Sequence, residues 1–300
     1  MRRFIFLIIR YSIVLLVLVE ITIRVFSLTN DVPTRKINEF GLQVFKENQS
    51  GYYEGFNWKV NSDGFLGHND KSGDNQILLI GDSFVENIMN PFSCRQSSLF
   101  KDKGYQVFEA GRSGMTFIET LEFNKYLKPY VSPLKSIFII DNIDFYESIA
   151  EIKKFNDRCQ ISILEKNIYK GEIKYKNIKK ILYNYKTLYY LYDKFRKSRK
   201  TEQKQKKSDE EIKVNQNFVV ELIRFAKENY DLNNSLFVFR NTNQFSQSFD
   251  ELKLKYIELK ISDQKGLTFE NDNHWNCEGH KNAFLQILNH LNIQFNKPIK

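Results

Sequence analysis

The chain has 300 residues, of which 42% are hydrophobic and 26 are Phe, and its formal net charge is +9. This length holds one α/β domain of ordinary size with an appendage, and the apolar content excludes a chain that is disordered throughout. The positive charge comes without a basic-aromatic recognition motif and lies mainly in one segment. We therefore expect no nucleic acid as a partner, and we attribute the charge to a membrane or envelope surface.

The first predicted element is a membrane helix. Residues 4–26 form the one strongly hydrophobic tract near membrane length, and these 23 residues would measure about 35 Å as a helix. Glu20 and Arg24 interrupt the tract at a spacing of four residues and can pair. Because Arg2 and Arg3 favour a cytoplasmic amino terminus, we expect an uncleaved single-pass anchor in the cell membrane with the rest of the chain on the extracytoplasmic side. A cleaved signal peptide and an interfacial helix are the alternatives.

A site for a nucleophile is predicted within residues 76–90, QILLIGDSFVENIMN. A four-residue apolar run leads straight into Gly81-Asp82-Ser83, which predicts a short buried strand, a tight turn and one or two helical turns. A serine there has its hydroxyl at the carboxyl end of a strand, beside the N–H groups that open a helix and stabilise a developing anion. Gly, Asp and Ser also favour turns and N-caps for local reasons, so this block alone leaves a purely structural role open.

Strands and helices are then predicted to alternate along the chain, which is typical of a parallel sheet covered by helices. Apolar runs predict strands at 105–110, 136–140, 236–239 and 256–261, and helical apolar spacing predicts helices at 116–127, 218–230 and 278–291.

The composition divides the chain into three parts: an anchor (1–28), a polar and irregular tether (29–56) and a domain (57–300). Within the domain, a basic, Tyr-rich insertion at about 150–214 is predicted to form a cap or a substrate groove. Its most basic run, 194–207, is read as a solvated loop or as a contact with anionic lipid or an acidic glycan.

A candidate base and its acid precede the last predicted helix. His274 lies two residues after Asp272, and a serine nucleophile needs such a base, with an acid to fix the tautomer of the imidazole. We therefore predict Ser83, His274 and Asp272 as catalytic residues, with Glu270 as the reserve acid.

These two blocks resemble the SGNH/GDSL esterase and acyltransferase superfamily. Gly81-Asp82-Ser83-Phe84 is similar to its first block, with Phe in place of the commoner Leu, and the segment that begins at Asp272 is similar to its last, although the family more often has two residues between acid and base. The resemblance covers roughly residues 61–291. It implies a three-layer α/β/α sandwich around a central, mostly parallel five-stranded sheet of flavodoxin-like type, and acyl-transfer chemistry that uses no cofactor.

The resemblance also implies an oxyanion hole. Its donors would be the backbone N–H groups of Ser83 and Gly114 and the side-chain amide of Asn142. A second register, which aligns Asp144 with the Asp of the family's third block, places Ile143 where the family has Asn, and this register stays open. Loss of one such donor costs about 10²–10³ in rate.

The cysteines are too few and too scattered for a disulfide framework. Cys94, Cys159 and Cys277 could supply one pair outside the cytosol, but the sequence does not say which. The spacing His274-x-x-Cys277-x-x-His280 contains zinc-type ligands, yet no second cluster accompanies it, so we expect no metal. His280 is predicted to be a surface or capping residue of the last helix.

Three functions follow from this sequence. The leading one is a membrane-anchored esterase or deacetylase acting on O-acyl groups, O-acetyl above all, of a cell-envelope carbohydrate. The second is an O-acyltransferase that uses the same residues with a membrane-bound acyl-transfer partner. The third is a catalytically impaired binding or assembly subunit.

Overall fold

A computed structural model describes residues 1–67, 76–198, 209–261, 266–270 and 272–295. The helices are α1 (Arg2–Val25), α2 (Ser83–Glu86), α3 (Gln96–Lys101), α4 (Phe117–Val131), α5 (Asn142–Ser148), α6 (Lys176–Asn184), α7 (Lys186–Ser198), α8 (Asp209–Asn229), α9 (Ser246–Glu251) and α10 (Cys277–Phe295), with a 3-10 turn at Phe92–Cys94. The strands are β1 (Arg35–Ile37), β2 (Gln43–Phe45), β3 (Ser50–Tyr53), β4 (Phe56–Lys59), β5 (Gln76–Gly81), β6 (Gln106–Gly111), β7 (Lys135–Ile140), β8 (Gln160–Ser162), β9 (Asn167–Tyr169), β10 (Ser235–Phe239), β11 (Tyr256–Glu258), β12 (Thr268–Phe269) and β13 (Asp272–Trp275).

The central sheet has five strands in the order β11-β10-β7-β5-β6, and all of its pairings are parallel. The predicted five-stranded α/β architecture is thus confirmed. Every residue of β5, β7 and β10 is buried, because helices cover both faces of the sheet. This two-sided burial explains why these strands read as continuous apolar runs in the sequence.

Alternate residues of the strands point into two separate cores. In β5, Leu78 and Ile80 face the helices α4, α5, α8 and α9, whereas Ile77 and Leu79 face α3 and α10. This period of two places one helical layer on each side of the sheet. The result is the predicted three-layer α/β/α sandwich.

The segment predicted to be a tether is instead packed on the domain. Residues 29–56 contain β1, β2, β3 and the first residue of β4, which pair as two antiparallel hairpins. Leu42, Val44 and Phe45 are buried, and Leu42 and Val44 join the core beneath α4. Because most residues of this segment are polar, its sequence shows no apolar alternation that would predict the strands.

Helix α1 is long and apolar enough to cross a membrane. It has 24 residues with a mean hydropathy of 2.5 in its most apolar window, and none of that window is buried against the protein. By length and composition alone, a signal sequence would pass the same test. Glu20 and Arg24 form the expected ion pair, with 2.6 Å between Arg24 Nη2 and Glu20 Oε1.

The disulfide between Cys94 and Cys277 joins distant parts of the chain. It links the 3-10 turn before α3 to the first residue of α10, across 183 residues of sequence and a Cα–Cα distance of 5.1 Å. Cys159 is free and buried. A crosslink that closes so long a loop restricts the unfolded chain strongly.

We expect the double substitution Cys94→Ser with Cys277→Ser to lower the free energy of unfolding by about 2–5 kcal/mol. Thermal unfolding of the full chain in detergent, with and without reductant, measures this. Reductant should lower the Tm of the unaltered protein and of the control Cys159→Ala, but not that of the double variant. An equal response to reductant in all three would contradict a stabilising disulfide.

Candidate active site

Ser83 lies at the end of β5, as the first residue of α2. Asp82 caps this short helix, because its carboxylate accepts a hydrogen bond of 3.0 Å from the backbone N–H of Phe84. A Cβ on Gly81 would lie 2.6 Å from the carbonyl oxygen of Ile139, so only glycine lets the turn pass this close to β7. The strand-turn-helix predicted from the sequence is therefore present.

The loop after β6 lies directly against the turn that carries Ser83. A Cβ on Gly111 would come within 2.3 Å of the backbone nitrogen of Glu86, so glycine is needed for this approach. The Arg112 N–H donates to the Gly81 carbonyl at 3.2 Å, and the Ser113 N–H donates to the Glu86 carboxylate. This loop, which leads into Gly114, is thus fixed beside Ser83.

Asp272 and His274 both lie on β13, a strand outside the central sheet that pairs with β12. Side chains two residues apart on a strand project to the same face. The one-residue gap between acid and base, a departure from the commoner family spacing, therefore suits a strand. Glu270, the reserve acid, is exposed just before this strand.

Ser83, His274 and Asp272 meet in one hydrogen-bonded chain. His274 Nε2 lies 2.8 Å from Ser83 Oγ, although the two residues are 191 positions apart. His274 Nδ1 contacts Asp272 Oδ1, and the same oxygen accepts the backbone N–H of His274 at 2.9 Å. With Nδ1 as the donor to the carboxylate, the lone pair of Nε2 faces the serine hydroxyl. The structure thus brings together all three residues that the sequence singled out.

Phe84, which stands where the resembling family commonly has Leu, packs on His274. The rings of Phe84 and His274 stack at 4.8 Å between centroids, with an interplanar angle of 20°. The guanidinium carbon of Arg240 lies 3.7 Å from the Phe84 centroid, and Trp275 meets the same ring edge-on. Arg240, directly after β10, was not singled out from the sequence, because nothing in its local pattern shows a distant ring.

Arg240 also lies near three carboxylates, of which Asp144 is buried and Asp82 and Asp141 are partly buried. Its guanidinium pairs with Asp141. Burial raises the pKa of Asp82, while the positive charge of Arg240 opposes that rise. Burial raises the pKa of Asp144 well above its ordinary value, and the nearby charge of Asp82 adds to the effect. Arg240 is therefore the guanidinium that opposes the rise in the pKa values of Asp82 and Asp144.

The predicted oxyanion residues differ in where they lie. Gly114 has φ +75°, a left-handed conformation that glycine adopts readily, in the loop fixed beside Ser83. Asn142 is the first residue of α5, and its carboxamide donates to the Thr242 carbonyl at 2.9 Å and accepts from the Gln244 N–H at 3.1 Å. Its amide is thus engaged with the loop after β10, and its role at the oxyanion stays a prediction.

A cavity of about 330 Å³ opens onto Ser83 and His274. Three tyrosines of the insertion, Tyr183, Tyr189 and Tyr192, form part of its wall. The insertion predicted as a cap or groove therefore contributes to the pocket through α6 and α7. Residues 199–207 of the predicted basic run lie outside the described residues.

His280 is buried, which corrects its expected position on the helix surface. Only 2% of its surface is exposed, and Gln96 Nε2 donates to its backbone carbonyl at 2.9 Å. Its burial, with a further effect of Arg95, lowers the pKa of His280 to about 3. Cys277, the middle residue of the zinc-type spacing, is bonded to Cys94 and so has no thiolate to offer a metal.

Comparison with known proteins finds similarity in fold. No protein-family model matches the chain, and no curated protein matches it. Among solved structures, the psychrotrophic esterase EstA from Pseudoalteromonas sp. is 13% identical, with 75% of this chain and 100% of that chain covered and a TM-score of 0.40. The acetyl xylan esterase Est2A from Butyrivibrio proteoclasticus is 12% identical, with coverage of 76% and 66% and a TM-score of 0.40. A family two carbohydrate esterase from Clostridium thermocellum is 11% identical, with coverage of 78% and 69% and a TM-score of 0.38.

These are similarities of fold, and the resemblance to the SGNH/GDSL superfamily stays a prediction from the sequence. At such low identities and TM-scores the similarity says nothing about substrate or catalytic residues. The roles of Ser83, His274 and Asp272 depend on the distances within this chain.

We expect the protein to become less stable as the pH is lowered, because His280 is buried. In the unfolded chain this residue takes up a proton near its ordinary pKa of 6.5, whereas in the folded chain it does so only near 3. The folded state is therefore favoured fully above about pH 6.5 and loses about 1.4 kcal/mol per pH unit as the pH falls through this window.

Denaturant unfolding at several values from about pH 7 to about pH 4 tests this, with His280→Gln beside the unaltered protein. The variant should show a shallower slope of unfolding free energy against pH, whatever its absolute stability. His290→Gln, which alters a partly exposed histidine on the same helix, should change the slope less. A slope unchanged in His280→Gln would refute the assignment.

Proposed function

We propose that the protein is a serine-dependent esterase of the SGNH/GDSL type that acts on O-acyl groups. The observation that carries this proposal is the contact of 2.8 Å between Ser83 Oγ and His274 Nε2, with Asp272 on the far side of the imidazole. Nucleophile, base and orienting acid in this order are the arrangement that acyl transfer through a serine requires. The esterase names of the fold neighbours agree with the proposal but do not carry it.

In the proposed reaction Ser83 Oγ attacks the ester carbonyl while His274 Nε2 accepts its proton. The imidazolium is stabilised by Asp272 and then donates that proton to the leaving alcohol, which leaves an acyl-serine. A water molecule, activated by the same imidazole, releases the acid and restores the hydroxyl. The backbone N–H groups of Ser83 and Gly114 are the proposed donors to the oxyanion.

We propose a short acyl group, acetyl above all, carried by a carbohydrate of the cell envelope. A cavity of about 330 Å³ is at the small end of the range for ligand sites, which suits a short acyl chain. The Cys94–Cys277 disulfide supports a location outside the reducing cytosol. The apolar helix α1, with Arg2 and Arg3 at its start, supports a membrane anchor and an extracytoplasmic domain.

An O-acyltransferase remains a second candidate, and the tyrosine wall favours it. Tyr183, Tyr189 and Tyr192 line the pocket of Ser83 and provide an amphipathic surface for a sugar. A transferase needs an acceptor hydroxyl to reach the acyl-serine before water does. A membrane-bound partner would supply the acyl group in that case.

We expect Ser83→Ala to lower kcat/KM for a short-chain aryl acetate by at least about 10³-fold and to abolish labelling by a fluorophosphonate. Asp272→Asn should lower kcat by about 10²–10⁴-fold, because the imidazole loses the acceptor that fixes its tautomer. The measurement uses the full chain in detergent.

Glu270→Gln is the matched control for Asp272→Asn. Glu270 is exposed and precedes the strand that carries His274. The kcat of Glu270→Gln should therefore stay within about twofold of that of the unaltered protein. The assignment of the acid is wrong if Glu270→Gln is the more impaired of the two. If folded protein neither turns over the ester nor reacts with the fluorophosphonate, the binding or assembly subunit becomes the better explanation.

The acceptor preference is measured by the fate of the acyl group. With an aryl acetate as donor, an esterase should release acetate at the same rate whether or not a sugar is added. A transferase should instead form the acetylated sugar, and Tyr189→Ala should shift the products back towards acetate, because it opens the pocket wall to water. Acetate as the sole product at every sugar concentration would exclude this transferase reaction.

A further inference from the structure

Helices α6 and α7 expose an unusual number of apolar side chains. No residue of α6 is buried, and Ile178 and Ile181 are 64% and 54% exposed. In α7 the exposed apolar residues recur at the spacing of one helical face: Leu188, Leu191, Tyr192 and Phe195. An exposed apolar surface of this extent indicates an interaction site.

The junction of these two helices is fastened to the end of α1. The Glu20 carboxylate accepts the backbone N–H groups of Lys186 and Thr187, at 2.9 and 2.8 Å, and so satisfies free donors at the start of α7. Arg24 Nη2 donates to the carbonyl of Asn184, the last residue of α6, at 2.6 Å. The charges that interrupt the apolar tract thus hold the insertion in place.

The height of this junction follows from the geometry of α1. At 1.5 Å per residue, its 24 residues measure about 36 Å, against about 30 Å for the hydrocarbon core of a bilayer. Glu20 is five residues before the end of the helix at Val25, which is about 7.5 Å along the axis. If α1 crosses the membrane symmetrically, its end extends about 3 Å beyond the hydrocarbon core, so Glu20 and the α6–α7 junction lie within about 5 Å of the boundary between acyl chains and headgroups.

The charge of α6 and α7 matches such a surface. Between residues 176 and 198 the sequence has many lysines and one acid, Asp193. Lys176 and Lys180 are exposed on α6. Amphipathic helices with lysines, tyrosines and aliphatic residues bind the interface of membranes that contain anionic lipid.

We propose that α6 and α7 form a platform that lies on the outer surface of the membrane, with its apolar side chains at the boundary between headgroups and acyl chains and its lysines against anionic headgroups. The platform rests on the proposed membrane span of α1 but not on the proposed esterase reaction. Because Tyr183, Tyr189 and Tyr192 of the same helices line the pocket of Ser83, the pocket opens at the bilayer surface. The esters within its reach are those carried on lipid-linked or membrane-proximal glycans.

The test measures how close a labelled side chain comes to lipid. A single cysteine replaces Leu188 in the full chain and carries an environment-sensitive fluorophore; the native cysteines are paired or buried. The protein is reconstituted in phosphatidylcholine vesicles that contain a nitroxide-labelled lipid, with or without phosphatidylglycerol. Leu285→Cys, exposed on α10, is the matched control, and Leu15→Cys in α1 is the positive control.

We expect the label at Leu188 to be quenched several-fold more than the label at Leu285, and more strongly when phosphatidylglycerol is present. Quenching at Leu15 without quenching at Leu188 overturns the platform and keeps the anchor. Quenching at neither site overturns both. A label at Leu188 that is shielded from water but not quenched by lipid shows that protein covers this surface, which also overturns the proposal.

The role of charge is tested by a double variant that combines Lys176→Gln with Lys180→Gln. This variant should lose the extra quenching that phosphatidylglycerol produces at Leu188. Lys101→Gln with Lys103→Gln, an equally exposed pair near α3, should keep it. Ester hydrolysis is measured on the same samples, so that a failed platform and a failed esterase assignment are told apart.

Discussion

The contact between Ser83 and His274 depends on a small hairpin being held against the central sheet. His274 lies on β13, which has no backbone pairing with the five parallel strands. Three features fasten this hairpin near the serine: the Cys94–Cys277 disulfide, a hydrogen bond of 2.9 Å from Asn90 Nδ2 to the Trp275 carbonyl, and the stack of Phe84 on the imidazole. Each of these contacts restrains His274 relative to Ser83, which lies at the turn between β5 and α2.

The parts of the fold that could be predicted are those with a local signal. Strands buried on both faces are continuous apolar runs, so β5, β7 and β10 were found within a residue or two of their ends. The serine turn and the Asp-x-His block carry chemistry within a few consecutive residues, and the structure brings them together.

The parts that could not be predicted depend on tertiary contacts. Leu42, Val44 and Phe45 are apolar positions in a polar segment, and only the core beneath them shows that they are buried. The sequence contains three cysteines but does not show which two are bonded, because pairing depends on their distance in space. His280 reads as a surface histidine because nothing in its neighbours along the chain shows that Gln96 and Trp275 enclose it.

The disulfide also has a consequence for biosynthesis. A chain emerging from the ribosome exposes Cys94 and the serine turn long before Cys277, which follows 183 residues later. The bond therefore cannot form during most of translation, and in a reducing compartment it does not persist afterwards. His274 reaches its place beside Ser83 only late in synthesis, and oxidising conditions add the disulfide to the other contacts that hold it there. The proposed active site is thus completed late, and a nascent chain lacks the base that the proposed reaction needs.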